Sequence, residues 1–220
     1  REAANRTGRT YFIMYDMSGD EDLDRMTADW HYLVDVMKIT EDDRYLHENG
    51  IPVIGLFGFF ADRFDATLAN QALDIFQSEG KYQAFVVGSG QWWWRSETET
   101  GWPDVFERMD AWIPWNVGNY NGDYAQSDYW QSDKDTMDAA GVIYMPLVYP
   151  GFGWDNLMNQ PPGTTTKSRL QGDFLWQQFL DARAQDASAV YVAMFDEIDE
   201  STAIFKVTND IPVNHYFQTL

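Results

Sequence analysis

Short apolar runs alternate along this chain with longer stretches in which apolar residues recur every three or four positions. An apolar run rich in β-branched and aromatic residues is typical of a buried strand, and the three-to-four spacing is typical of an amphipathic helix. The predicted strands are residues 11–17, 51–57, 84–87, 111–117, 142–148, 189–195 and 203–207. The predicted helices are residues 23–37, 65–78, 102–109, 132–140 and 172–184.

This alternation predicts an α/β protein with a parallel sheet covered by helices, because parallel strands need long crossover connections. Seven strands are one short of a (β/α)8 TIM barrel. Residues 1–8 are typical of a helix end capped by Gly8, and residues 215–220 are typical of a helix start. We therefore predict a single (β/α)8 domain over 1–220, a fragment that lacks its first strand and the end of its last helix. An open doubly wound sheet is the alternative, although no glycine-rich phosphate-binding turn follows any strand.

The charge excludes whole classes of partner. Fifteen basic and 35 acidic residues give a net charge of −20, which repels phosphate backbones and anionic lipid, so nucleic acid and membrane surfaces are poor partners. No apolar stretch is long enough to span a bilayer. There is no cysteine, and the three histidines share no ligand spacing, so we expect no metal site built from cysteine or histidine ligands. The acidity favours a secreted, periplasmic or cell-surface location of bacterial type.

Aromatic residues make up 16% of the chain, and several lie beside acidic or amide residues. Aromatic faces flanked by carboxylates suit sugar rings, whose C–H faces stack while their hydroxyls need hydrogen-bond partners. The alternative is that a large α/β core is simply aromatic. Because working groups gather at the carboxyl ends of barrel strands, the residues there are the candidate substrate contacts. They are Asp16, Trp94, Arg95, Trp115, Trp154 and Asp155.

One of these strand ends carries a cluster of tryptophans, and another carries a single tryptophan beside an acid. Three adjacent tryptophans at 92–94 cannot all point inward, since successive side chains of a strand alternate, so at least one lines a cleft or the surface. Arg95 can pair with a carboxylate and keep it ionised. A rigid Pro-Gly turn presents Trp154 and Asp155 as a sugar platform with a hydroxyl acceptor, or else as a tight turn with one buried ring. Asp16 either binds a substrate hydroxyl or caps the following helix.

One apolar strand runs directly into four acids, at positions 196, 197, 199 and 200. Glu197 and Glu200 lie three apart on a turn, so both can face one cleft. Cleavage of a glycosidic bond needs such a pair, in which one carboxyl protonates the leaving oxygen and the other is base or nucleophile. Asp199 is a further candidate substrate contact. A solvated acidic turn and a Ca²⁺ site remain alternatives.

These segments resemble the motifs of glycoside hydrolase families 71 and 99. The resemblance rests on Pro150-Gly151-Phe152, on a helical segment with Arg169, Gly172 and Trp176, and on residues 196–202. It continues more loosely upstream and covers most of the chain. It implies a (β/α)8 barrel whose first strand would lie before the first residue of this chain.

The family 99 endo-α-mannosidases carry the motif Asn-Glu-Trp-His-Glu-Gly-Thr, whose two essential glutamates fall on Glu197 and Glu200. The resemblance implies a retaining mechanism with 2-hydroxyl participation. Glu197 would deprotonate the sugar 2-hydroxyl, which attacks its own anomeric carbon, and Glu200 would protonate the leaving oxygen and then activate water. Family 71, by comparison, cleaves α-1,3-glucan with inversion.

This chain departs from the family 99 motif at several positions. Asp196 replaces the asparagine, Ile198 and Asp199 replace the Trp-His pair, and Phe152 replaces the tyrosine of Pro-Gly-Tyr. An additional acid at Asp199 should raise the pKa of a neighbouring carboxyl. Specificity for α-mannan therefore does not carry over with the motif.

We therefore expect a glycoside hydrolase that cleaves an α-linked polysaccharide or oligosaccharide with the pair Glu197 and Glu200. This chemistry requires no cofactor. Two functions of other classes stay open at this stage. One is a non-catalytic carbohydrate-binding barrel, and the other is an acidic Ca²⁺-binding surface protein organised around residues 196–200.

Overall fold

The computed structural model describes residues 1–18 and 22–205, which form two compact units. The first unit contains Arg1–Pro114 and Thr136–Tyr144, and the second contains Trp115–Asp135 and the residues from Met145 onwards. The helices are α1 (Glu2–Thr7), α2 (Leu23–Asp35), α3 (Ala66–Gln77), α4 (Trp102–Glu107), α5 (Trp130–Ala140) and α6 (Asp173–Ala184). The strands are β1 (Ile13–Asp16), β2 (His47–Glu48), β3 (Ile51–Phe59), β4 (Phe85–Gly90), β5 (Ala111–Pro114), β6 (Tyr120–Asn121), β7 (Tyr124–Ala125), β8 (Ile143–Tyr144), β9 (Leu147–Val148) and β10 (Tyr191–Val192).

A parallel sheet in the order β1-β3-β4-β5-β8 forms the centre of the first unit, and β2 pairs with β3 in the antiparallel sense. Ile13 of β1 lies opposite Ile54 of β3, and Val53 lies opposite Phe85 of β4. Most of β3 is buried, which explains its nearly continuous apolar sequence. The first four predicted strands are thus confirmed with shifted ends, and β5 stops at Pro114 because proline has no N–H for the ladder.

All five predicted helices form, with ends within two residues of the predicted ones. The carboxylates of Asp22 and Asp65 accept the N–H groups of Arg25 and Leu68 at 2.9 Å, so they cap the first turns of α2 and α3. The N-terminal helix α1 ends as predicted at Gly8, whose φ of 71° is the left-handed conformation that glycine adopts readily. None of the described helices is both long enough and apolar enough to cross a membrane.

Much of the aromatic content fills the core of the first unit. Trp30 lies 5.9 Å from Phe76 between ring centroids, and Phe106 lies 5.4 Å from Trp102 and 4.9 Å from Trp112. All five side chains are fully buried. Each such ring removes roughly 150–250 Å² from water, which makes the cluster a main source of stability for this unit.

The apolar run 142–148 was expected to be one strand, and this is wrong. Its first part is β8, which pairs with β5 in the first unit, and its last part is β9, which pairs with β10 in the second. Pro146 interrupts the run because it cannot donate to a ladder, although its carbonyl oxygen accepts the N–H of Tyr191 at 2.9 Å.

In the second unit, β9 and β10 are parallel, with Tyr191 opposite Leu147. Helix α6 buries Phe174 and Gln178. The Gln178 amide donates to the carbonyl of Tyr149 at 2.8 Å and accepts its N–H at 3.1 Å. This side chain therefore satisfies both backbone groups of the residue that follows β9, as a neighbouring strand would.

The last predicted strand, 203–207, is not a strand in its described part. Instead Ile204 donates to the carbonyl of Met194 at 3.1 Å and Phe205 donates to that of Phe195 at 3.1 Å, so the chain folds back on the residues after β10. The predicted strand 189–195 is correspondingly short, since only β10 is in a ladder. Residues 206–207 and the helix start predicted at 215–220 lie outside the described residues.

Candidate active site

The four acids after β10 lie on a loop that is closed by its own backbone. We call residues 194–205 the acidic loop. Within it, Ala203 donates to the carbonyl of Glu197 at 2.8 Å, and Ser201 donates to that of Ile198 at 3.0 Å. These bonds hold the turn that carries Glu197 and Glu200, so the two acids have fixed backbone positions.

Trp154 and its neighbour Gly153 both bond to Glu200. The N–H of Gly153 donates to the Glu200 carbonyl at 3.0 Å, and the indole Nε1 of Trp154 donates to Glu200 Oε1 at 3.4 Å. Trp154 remains 39% exposed. The predicted indole platform therefore lies directly beside the second acid of the predicted pair.

Glu200 is half-buried, and its pKa lies above the ordinary carboxyl value. Burial is the main cause, the negative charge of Glu197 raises the pKa further, and the indole N–H of Trp154 acts in the opposite direction. A carboxyl group that keeps its proton at higher pH is suited to act as a general acid.

Glu197 is oriented by its own turn. Its Oε1 accepts the backbone N–H of Asp199 at 2.9 Å, and the side chain is partly buried. Asp196 and Asp199 are exposed. Because the negative charge of Glu197 raises the pKa of Glu200, the two acids share one electrostatic environment.

Asp155 organises the loop that follows Trp154. Its two carboxylate oxygens accept the N–H of Gly163 at 2.6 Å, the N–H and hydroxyl of Thr165 at 2.7 Å each, and the hydroxyl of Thr166 at 2.8 Å. These bonds, that of the Thr165 hydroxyl first, lower the pKa of Asp155 to about 2. Since Thr165 Oγ1 also accepts the N–H of Trp154 at 2.8 Å, Asp155 fixes the indole platform through Thr165. Its predicted contact with a substrate hydroxyl stays a prediction.

Arg169 is a site residue that reasoning from spacing missed. It is half-buried, and its Nη2 donates to the carbonyl oxygens of Ser201 at 2.9 Å and Ala203 at 2.7 Å. A Cβ at Gly151 would lie 2.8 Å from Arg169 Cγ and 3.0 Å from the carbonyl of Lys167, so only glycine fits there. A basic side chain in so acidic a chain was the available signal.

Trp115 lies beside β10, the strand that leads into the acidic loop. Its ring centroid is 6.5 Å from that of Tyr191 in β10, and both side chains are half-buried. Burial raises the pKa of the Tyr191 hydroxyl, which therefore stays protonated. The pair supports the strand from which the acidic loop starts.

Asp16 belongs to the first unit. Its carboxylate accepts the N–H of Ser18 at 2.8 Å and also the Ser18 hydroxyl. It lines a cleft of about 250 Å³ together with Tyr15, whose hydroxyl donates to Asp29 at 2.7 Å. The alternative role of helix cap is wrong, because Asp22 caps α2.

Of the three adjacent tryptophans, one is exposed as predicted, and it is Trp93; Trp94, the candidate substrate contact, is buried. Trp93 is 48% exposed and Trp94 only 6%. The Trp94 ring lies 6.0 Å from Phe106 and therefore belongs to the core. Arg95 lies 4.7 Å above the ring of Trp92, a cation–π contact. The chain leaves β4 and enters a short 3-10 turn here, so strand alternation does not decide which ring points outward.

Within residues 1–18 and 22–205, no three histidine, aspartate or glutamate side chains lie close enough together to hold a metal ion.

The chain was compared with known proteins. Neither a protein-family model nor a curated protein matches the sequence. In fold it is similar to the GH99 endo-α-mannosidase of Bacteroides thetaiotaomicron, at 17% identity and a TM-score of 0.73, with 92% of this chain covered. The match covers 61% of that enzyme in its complex with BIS-TRIS propane and 57% in a second structure. A glycoside hydrolase-like protein matches at 15% identity and a TM-score of 0.55, with 81% of this chain and 53% of that chain covered.

These similarities confirm the α/β, TIM-barrel-like fold and the predicted likeness to family 99 at the level of structure. This chain spans about three fifths of the enzyme structures that it matches.

Proposed function

We propose that this chain carries the carboxyl pair of a glycoside hydrolase that acts on an α-linked polysaccharide or glycan. The observation that carries the proposal is the position of half-buried Glu200, which shares a turn with Glu197 and bonds to the exposed indole of Trp154. Burial in this position raises its pKa, in agreement with an acid role. Two carboxyl groups whose environments differ in this way are what glycosidic cleavage requires. The fold shared with an endo-α-mannosidase supports the same reaction class.

In the first step Glu197 acts as the base. It takes the proton of the sugar 2-hydroxyl as that oxygen attacks its own anomeric carbon. The bond from the anomeric carbon to the leaving oxygen breaks, and Glu200 gives its proton to that oxygen. The products of this step are the released glycan and a sugar with a 1,2-anhydro ring.

In the second step the two carboxyl groups exchange roles. Glu200, now ionised, takes a proton from water as the water oxygen attacks the anomeric carbon. The 1,2-anhydro ring opens, and Glu197 returns its proton to the 2-oxygen. Two displacements at the anomeric carbon retain its configuration, and both carboxyl groups regain their starting protonation states.

The aromatic and acidic neighbours of the pair supply recognition. Trp154 stacks on the face of the sugar ring, with its position set by Asp155 and Thr165. Trp115 and Asp199 are further substrate contacts. Trp115 contacts the sugar through its ring, and the Asp199 carboxylate accepts a hydrogen bond from a sugar hydroxyl. Because Ile198 and Asp199 replace the Trp-His of the family 99 motif, we propose an α-linked hexose as the substrate and do not assign mannose.

Glu197→Gln and Glu200→Gln, assayed on α-mannan and α-glucan, test this proposal. Each change should lower hydrolysis by roughly 10²–10⁴-fold, the usual contribution of a general acid or base, without loss of thermal stability. Asp196→Asn removes a charge from the same loop and should retain activity. NMR of the first-formed product anomer should show retention. A wild-type protein that binds glycan without hydrolysing it would be a carbohydrate-binding barrel, and unchanged activity in either glutamine variant would refute the assignment.

A further inference from the structure

A second cleft lies on the second unit between the β6–β7 hairpin and the start of α6. Its volume is about 320 Å³, at the lower end of the ~300–1,000 Å³ typical of small-molecule sites. It shares no lining residue with the acidic loop or with the residues that position Trp154. The lining residues are Asp123, Tyr124, Leu170, Asp173, Phe174, Trp176 and Gln177.

Two aromatic rings in this cleft are exposed although the fold does not need them for its core. Trp176 and Tyr124 are each 63% exposed. Helix α6 buries Phe174, Gln178 and Ala182, which share one face at intervals of four residues. At ~100° per residue Trp176 lies about 200° from Phe174, on the opposite face. An exposed indole and an exposed phenol that line one concave surface mark a binding site more than a contribution to stability.

The polar group beside these rings is held in place. Lys167 is buried, and its ammonium donates to the carbonyl of Gly122 at 2.6 Å and to Asp123 Oδ1 at 2.9 Å. The side chain of Asp123 is nevertheless 76% exposed. A carboxylate has about four acceptor positions, so Asp123 keeps acceptor capacity towards the cleft while Lys167 fixes its direction.

The chemistry of the cleft indicates its ligand. Aromatic faces bind the C–H faces of a sugar ring, and a fixed carboxylate accepts its hydroxyls. Asp123 and Asp173 line the cleft and Lys167 pairs with Asp123, so these three side chains carry one net negative charge. Together with the chain's net charge of −20, this disfavours sulfate, phosphate and uronate groups. We infer that this cleft is a second carbohydrate-binding site and that it takes neutral glycan chains. The inference concerns binding alone and does not depend on the proposed hydrolysis.

Native affinity electrophoresis in gels that contain neutral α-mannan or dextran tests the inference. Trp176→Ala should raise the apparent Kd at least tenfold, and Tyr124→Ala should weaken binding in the same direction. Leu180→Ala is the matched control, because Leu180 is 44% exposed on the same helix one turn further on and does not line the cleft. A sulfated form of the same α-mannan should retard the wild type less than the neutral polymer does. Melting curves of all variants verify that they are folded.

The variant Trp154→Ala distinguishes binding at this cleft from binding at the acidic loop. In Trp154→Ala, hydrolysis should fall, but the retardation that depends on Trp176 should persist. Failure of hydrolysis in the wild type would leave this result unchanged, so the two proposals fail independently. Equal retardation of Trp176→Ala and the wild type would overturn the inference. So would loss of all retardation in Trp154→Ala, stronger binding of the sulfated polymer, or no retardation of the wild type by either neutral polymer.

Discussion

Arg169 Nη2 lies 2.7 Å from the carbonyl oxygen of Ala203, and this bond ties the end of the acidic loop to the segment that precedes α6. The same nitrogen reaches the carbonyl of Ser201 at 2.9 Å. A half-buried guanidinium that bonds two carbonyls of one loop limits how far the neighbouring Glu200 can move. Arg169 is therefore a positioning residue of the proposed site.

Arg169→Lys keeps the charge but loses the planar guanidinium, whose Nη2 donates to both carbonyls. Because misplacement of a reacting group by about 1 Å can cost as much as 10²-fold, we expect kcat to fall by roughly tenfold or more with little change in KM. Steady-state kinetics on the substrate found for the wild type measure this. The exposed Arg183, in the last turn of α6, provides the control change Arg183→Lys. An unchanged kcat in Arg169→Lys would show that the loop is held by other contacts.

The pH dependence of hydrolysis should report on Glu200. Since a general acid must carry its proton, kcat/KM should fall as the pH rises through the raised pKa of Glu200. The indole N–H of Trp154 lowers that pKa, so Trp154→Phe should move the falling limb to higher pH. Trp93→Phe, at an exposed indole of the first unit, should leave the limb in place. If the falling limb of the pH profile stays in place or moves to lower pH in Trp154→Phe, Glu200 is not the general acid.

The same raised pKa affects stability with a defined sign. The folded protein binds more protons at Glu200 than the unfolded chain does, so this carboxyl reduces stability as the pH rises above its ordinary pKa of 4.5. Glu200→Gln removes the ionised group. Its Tm should therefore exceed that of the wild type at neutral pH and approach it in acid, below the unfolded pKa. Thermal melts across this range test the prediction, with Glu79→Gln on the exposed surface as control. A lower Tm for Glu200→Gln at neutral pH would contradict it.

Asp155 should show the opposite pH dependence. Its pKa is lowered to about 2 in the folded protein, so the stabilisation that it provides is present above the ordinary value of 3.8 and is lost as the pH falls through about 2. Asp155→Asn should lower the Tm at neutral pH, and the difference should shrink on acidification through that interval. Hydrogen exchange should increase over residues 156–166, which the carboxylate holds together. Asp128→Asn, at an exposed position, is the matched control, and equal exchange in both variants would argue against a loop-organising role.

The helices, and the placement of two acids on one turn, could be predicted because their signals are local. Asp22 and Asp65 are caps that can be recognised from neighbouring residues, and the spacing of Glu197 and Glu200 on a turn does not depend on distant contacts. The split of residues 142–148 also had a local signal in Pro146, which the apolar character of the run obscured.

Other features depend on contacts that leave little trace in a single sequence. The apolar residues 203–205 resemble the start of a strand, but they pair back with residues 194–195, a choice made by the tertiary fold. Trp93 and Trp94 are chemically identical, and the 3-10 turn decides which is exposed. Arg169 bonds to backbone carbonyls, which every residue has. The sequence at its partner residues therefore does not indicate the contact.

The acidic loop is fixed almost entirely through main-chain atoms: Arg169 bonds carbonyls, Gly153 bonds the carbonyl of Glu200, and Ala203 bonds that of Glu197. Its geometry thus tolerates replacement of the side chains between the two glutamates. Ile198 and Asp199 stand at such positions, so under the proposed function they can be replaced to change sugar preference while the loop keeps its backbone geometry. Engineering of selectivity should accordingly start with saturation of these two codons.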